Sequence, residues 1–138
     1  ILELSRDEKN SKIKAFENAL TQSQLNKARA AVRGVRMSEQ VEEYLVQIIL
    51  ATRNSDKYGG NLSDWLEFGA SPRATIALDI CSKSLAWLDN RNFVTPDDIR
   101  SIAHDVLRHR LILSFEAEAN GISSDQVVDE LLKVVPSA

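Results

Sequence analysis

Residues 71–107 read SPRATIALDICSKSLAWLDNRNFVTPDDIRSIAHDVL, two amphipathic segments joined by a short polar connection. Ser71 reads as an N-cap and Pro72 as the first residue of a helix running to about Leu88, since proline is tolerated where no intrahelical N–H bond is needed. Ala74, Ala77, Leu78, Cys81, Leu85 and Leu88 recur at helical spacing and predict its buried stripe. The second segment opens with VTPDDI. Thr95 is placed to cap, Pro96 takes the first helical position, and Asp97 and Asp98 suit the positive end of the helix dipole. Val94 and Ile99 stand at hydrophobic-staple positions, and Ile99, Ile102, Ala103, Val106 and Leu107 form the face to be buried.

Working outward, the other clear signals are also helix starts. Ser5 with Glu8 forms a capping box ahead of a segment reaching about Ala19. Thr21 with Gln24 repeats the pattern, flanked by Leu20 and Leu25 at staple positions. Ser38 caps a helix whose face carries Val41, Tyr44, Leu45, Ile48 and Thr52, and Ser123 with Gln126 opens a last helix with Val127, Val128, Leu131 and Leu132 after Gly121. The fold class expected is an all-α bundle of about five to six helices. Residues 32–37, β-branched around Gly34, admit either one short strand or a tight connection. Residues 54–70 form a loop longer than most connections in a compact domain, a length often associated with function. The whole chain, residues 1–138, reads as a single domain.

Composition narrows the functional classes. Of 138 residues, 43% are apolar and 27% charged, ordinary for a globular domain with a real core. A net charge of −3 gives no general attraction to nucleic acid or anionic membranes. No apolar run approaches the ~18 residues of a membrane span. No signal peptide is apparent, and the start at Ile1 rather than Met is that expected of a piece of a longer protein. Cys81 is the single cysteine, so no intrachain disulfide or thiolate zinc cluster can form, which fits a cytoplasmic origin.

Candidate chemistry is sparse. His104 and His109 stand at i and i+5, on different faces of one helix, and do not make a metal chelate. Glu42 and Glu43 suit a solvated face, and no serine or cysteine sits in a nucleophile motif. Arg108, His109 and Arg110 close a helix, where positive charge favours the dipole, and this capping role is preferred over a basic contact surface for a partner or nucleotide. There is no G-x-x-x-x-G-K-[ST] loop to cradle phosphates. Arg73 is the exception to local logic. A cation in the first turn faces the positive end of the dipole, at a cost of a few tenths to about 1 kcal/mol. It reads either as a surface arginine whose stem covers apolar neighbours, or as the fork of an anion site shared with free N–H groups at the helix start.

Four stretches in order carry a resemblance: VRMSEQVEEYLVQIILATRN at 35–54, GASPRA at 69–74, RNFVTPDDI at 91–99, and VLRHRLILSFEAEANGISSDQVVDELL at 106–132. Together they resemble the C-terminal helical lid domain of the MoxR family of AAA+ ATPases. The resemblance implies a lid whose nucleotide-binding core lies in a longer chain. It also implies assembly with that core and neighbouring subunits into a ring, typically a hexamer, and a chaperone-like role in maturing partner proteins. Some such proteins work beside von Willebrand factor A domain proteins. Arg73 would match the sensor-2 arginine that contacts the γ-phosphate, with Ser71 and Pro72 setting the helix start at the nucleotide. ATP and Mg2+ would be held mainly by the core, so this chain alone should neither hydrolyse ATP nor bind it tightly. Two rival readings are a free-standing helical interaction module and a nucleic-acid binder using Arg108 and Arg110.

Overall fold

The computed structural model describes residues 19–137, and the chain divides by its internal contacts into Ile1–Ala30 and Ala31–Ala138. The capping box at Ser5 and Glu8 and the segment it opens lie outside the described residues.

Helix α1 (Gln22–Arg33) starts as its sequence dictates: Thr21 N–H donates to Gln24 Oε1 at 2.8 Å, and Gln24 N–H returns the bond to Thr21 Oγ1 at 3.2 Å. Leu20 and Leu25, at the staple positions, are both exposed.

The second unit is built on four longer helices, α2 (Glu39–Arg53), α4 (Arg73–Leu88), α5 (Pro96–Leu107) and α7 (Ser124–Val134). Two short ones, α3 (Leu62–Trp65) and α6 (Phe115–Ala119), complete the all-α class that the capping pattern predicts. Ser38 accepts from Val41 N–H at 3.4 Å and starts α2, whose predicted face of Val41, Tyr44, Leu45, Ile48 and Thr52 is buried, joined by Ile49 and Ala51. The Ser123–Gln126 box forms, and α7 buries Val127, Val128, Leu131 and Leu132 as its spacing requires. Helix α6 can stop just before it because Gly121 takes φ 75°, letting Ile122 N–H return to the Ala117 carbonyl at 3.0 Å. Between them, Arg100 ties three helices together: its Nη1 donates to the Tyr44 hydroxyl on α2 at 3.1 Å and to the Leu132 carbonyl on α7 at 2.9 Å.

Residues 32–37 form the tight connection rather than a strand. Val32 and Arg33 end α1, Gly34 turns, and Arg36 forms one parallel bridge with Phe93, accepting from Val94 N–H at 2.9 Å. No strand forms across the whole stretch.

Two expectations are corrected. Residues 54–70 are not an open loop. They contain a 3-10 turn (Ser55–Lys57), α3, and strand β1 (Leu66–Phe68), which pairs antiparallel with β2 (Ile112–Leu113). Leu62 is fully buried and Leu66 nearly so, which makes this segment part of the core. The stripe of α4 is also rotated from its predicted line. Its buried row is Ala74, Leu78, Ser82 and Ala86, whereas Ala77, Cys81 and Leu85 are half-buried and Leu88 is 67% exposed. The row consists of small residues around Leu78, and it is along α4 and α5 that the two helices pack most extensively. Ser82 satisfies its buried hydroxyl on the Asp79 carbonyl at 3.1 Å.

Candidate functional site

The segment carrying Ser71, Pro72 and Arg73 leaves β1, turns at Gly69 and enters α4. Its anchor is the C-terminal end of α2. Thr52, 2% exposed, donates its hydroxyl hydrogen to the Ile49 carbonyl at 2.7 Å and accepts from Ala70 N–H at 3.0 Å. Arg53 Nη1 reaches the Ala70 carbonyl at 3.4 Å. Gly69 lies so close to Thr52 that a Cβ there would overlap the Thr52 carbonyl group and come within 2.8 Å of its hydroxyl, so only glycine fits this approach. Ala70 and Ala74 are fully buried on either side of the three exposed residues.

Pro72 adopts φ −56° and ψ −20°, helical values, but it stands at the N-cap and the helix begins at Arg73, one residue later than the sequence predicts. Ser71 makes no side-chain cap. The turn is closed instead by backbone bonds, Ala74 N–H to the Ser71 carbonyl at 2.8 Å and Thr75 N–H to the Pro72 carbonyl at 3.1 Å. Proline supplies no N–H, so few of the amides that normally make a helix start an anion site remain unused here. Arg73 is exposed, and among the described residues its guanidinium forms neither a salt bridge nor a hydrogen bond. The arrangement is therefore one unpaired, solvent-facing cation on a firmly anchored helix start. Such a group can donate to the oxygens of an approaching anion.

The other candidates settle into structural roles. Arg108 Nε donates to the His104 carbonyl at 3.1 Å and Arg110 Nε to the Val106 carbonyl at 2.8 Å, the helix-closing function expected of them. Arg108 also pairs with Asp105 and Asp125. His104 Nε2 lies 3.0 Å from Asp129 Oδ1. Among the described residues no three His, Cys, Asp or Glu side chains gather as a metal site, and no helix is long and apolar enough to cross a membrane.

One polar cluster goes beyond anything the sequence shows directly. Helix α4 ends with Asn90 in the left-handed region at φ 58°, with Asn90 N–H on the Trp87 carbonyl and Arg91 N–H on the Ala86 carbonyl at 2.8 Å. That reversal aims Arg91 at Asp98, which is 4% exposed: Nη2 reaches Oδ1 at 2.6 Å and Nη1 reaches Oδ2 at 2.8 Å. Asp98 also completes the TPDD capping box, accepting from Thr95 N–H at 2.7 Å. Burial alone would push the Asp98 carboxyl up, but the hydrogen bonds from Arg91 and Thr95 outweigh it and hold the group below its usual range. The hydrogen bonds to Asp98 and then Asp89 raise Arg91 further above its already high value.

With this geometry in view, the relatives are informative. The AAA lid domain family model matches residues 63–131. Chaperone MoxR1 of Mycobacterium tuberculosis is 39% identical over 94 residues, covering 67% of this chain and 25% of that protein. Uncharacterized protein YeaC of Bacillus subtilis is 32% identical over 132 residues, 96% of this chain and 39% of its own. The crystal structure of a candidate ATPase from Cytophaga hutchinsonii superposes with a TM-score of 0.83 at 32% identity, over 99% of this chain and 42% of the other. The chain thus belongs to the AAA lid domain family, as the lid of a MoxR-family AAA+ ATPase. It spans between a quarter and about two fifths of the length of these relatives.

Proposed function

We propose that this lid couples ATP binding and hydrolysis, in a core supplied by the longer protein, to conformational change in a ring that acts as a chaperone for partner proteins. Arg73 is the sensor-2 arginine, meeting the γ-phosphate of ATP held with Mg2+ mainly by that core. The reading is carried by one observation: an exposed first-turn arginine with no partner among the described residues, on a helix start that is otherwise tightly tied down. A guanidinium suits this contact because its fork donates to phosphate oxygens and its charge never titrates away. With ATP bound, the contact favours one lid pose; after hydrolysis the pose is released, and the lid moves as a body against its core and neighbouring subunits. The site is cytoplasmic on this reading, and a von Willebrand factor A domain protein is a candidate partner.

The test is Arg73→Ala in the full-length ATPase. Turnover should fall about tenfold or more, as expected when charge stabilisation at a transferring phosphoryl group is lost. The fold should be untouched, because exposed substitutions of this kind stay within about 0.5 kcal/mol. Turnover equal to wild type would reject the assignment.

The second reading, an interaction module without nucleotide chemistry, draws on the apolar side chains that α4 leaves exposed, Ile76, Ile80, Trp87 and Leu88, with Phe93 beyond. A phosphate-binding Walker A loop roughly 200 residues upstream in the same reading frame, about one domain length, would exclude it. The nucleic-acid reading is disfavoured by the engagement of Arg108 and Arg110 with backbone carbonyls.

A further inference from the structure

We infer that Thr52, assisted by Arg53, is a positioning residue for Arg73, so that the end of α2 sets where the arginine points. The inference rests on the reading of Arg73 as the γ-phosphate contact. Helix α4 has no side-chain cap of its own: Ser71 does not bond back, and Pro72 has no N–H to be held. What fixes its start is the backbone of Ala70, held at its N–H and at its carbonyl. Thr52 Oγ1 takes its N–H at 3.0 Å, and Arg53 Nη1 donates to its carbonyl at 3.4 Å. The threonine hydroxyl can do this because its hydrogen is already committed to the Ile49 carbonyl, leaving a lone pair aimed at Ala70. Gly69 completes the grip by letting the backbone lie directly against Thr52. Only exposed Ser71 and Pro72 separate Ala70 from Arg73, so a displacement of the Ala70 backbone carries over to the Arg73 Cα, the point from which the guanidinium must reach. A shift of about 1 Å in a charge-stabilising group is enough to cost large factors in rate.

The experiment is a double-mutant cycle on steady-state ATP hydrolysis by the full-length ATPase, run well below the melting temperature of every variant. Thr52→Val keeps the shape and removes the acceptor, whereas Thr52→Ser keeps the acceptor. Thr52→Val should lower kcat about tenfold, Thr52→Ser should stay within about twofold, and Thr52→Val should add nothing in an Arg73→Ala background. Wild-type kcat in folded Thr52→Val overturns the inference and leaves the Arg73 assignment standing. So does a Thr52→Val loss that multiplies onto Arg73→Ala, since it would then act independently of the arginine. Wild-type kcat in Arg73→Ala alone overturns the underlying assignment and the inference with it. Should Thr52→Val fail to fold, Arg53→Ala runs the same cycle from an exposed position. A loss of about threefold that vanishes in the Arg73→Ala background supports the inference, and an unchanged or additive kcat overturns it.

Discussion

Replacing Asp98 tests whether the junction between α4 and α5 is held by the arrangement described. The carboxylate accepts two bonds from Arg91, at 2.6 and 2.8 Å, one from Thr95 N–H at 2.7 Å and one from the Thr95 hydroxyl at 3.0 Å. Alanine abolishes all four. Loss of the capping interaction costs about 1 kcal/mol, and loss of hydrogen bonds to a charged group about 1.5–3 kcal/mol. Relief of the desolvation of a buried carboxylate offsets part of this, so a net loss of about 3 kcal/mol is expected. For a chain of this size, roughly 4 °C of melting temperature per kcal/mol translates that into a fall of about 12 °C. Asp98→Asn retains an oxygen for Thr95 N–H but loses the two-pronged ionic contact, and should fall about half as far.

The pH dependence of the same variants gives an independent check. The folded-state pKa of Asp98 lies below its unfolded value, near 3.9. Its contribution is therefore complete above that value and is lost as the pH drops through the folded pKa. Thermal melts followed by circular dichroism from pH 7 downward should show wild type and Asp98→Asn well separated at neutrality and converging below about pH 4. An Asp98→Ala variant melting within about 2 °C of wild type at pH 7, or a gap that fails to close in acid, would mean that the Asp98 carboxylate does not hold this junction.

Two further substitutions probe the core and the approach to Arg73. Leu131, fully buried on α7, should lose about 2–5 kcal/mol as Leu131→Ala in chemical denaturation, and a loss below about 1 kcal/mol would contradict its burial. Gly69→Ala forces a methyl group into the Thr52 backbone and should cost about 1–3 kcal/mol by thermal melting; an unchanged melting temperature would mean that the close approach is absent.

What could be read in the sequence is what is chemically local. The starts at Thr21, Ser38, Thr95 and Ser123 depend on partners three residues away, and all four form. The rotation of α4 was hidden for a different reason. Hydrophobic spacing favours large residues such as Leu85 and Leu88, yet the fully buried row runs through Ala74, Leu78, Ser82 and Ala86, three of them too small or too polar to stand out in a hydrophobic pattern. The pairing of Leu66–Phe68 with Ile112–Leu113 joins very short strands across a wide gap in the chain, which no local pattern can specify. Arg91 meets Asp98 only because Asn90 reverses the chain in the left-handed region, a conformation asparagine tolerates but does not announce. At the candidate site, Arg73 stood out through its awkward charge. Thr52 did not, because its partner Ala70 lies 18 positions away and threonine in a helix face looks like filler.

On the proposed reading, the same contacts determine what kind of motion the lid would transmit. Were residues 54–70 a free loop, a pull on Arg73 would be absorbed before reaching the helices. Instead Leu62 and Leu66 lie in the core, and β1 is paired to β2. Ser114 holds the start of β1, with its N–H on the Trp65 carbonyl at 2.9 Å and its hydroxyl on the Asp64 carbonyl at 2.6 Å. Ala70 is fastened to Thr52, and α4 continues into its tight packing with α5. Moving the backbone at the start of α4 relative to α2 would require breaking the buried Thr52–Ala70 hydrogen bond, which costs about 0.5–1.5 kcal/mol or more. On the proposed reading, a phosphate that draws Arg73 toward it must therefore draw the 31–137 body with it. The exposed charge can be lost with little effect on stability, while its anchoring cannot, and that asymmetry is what a lever with a chemical tip requires.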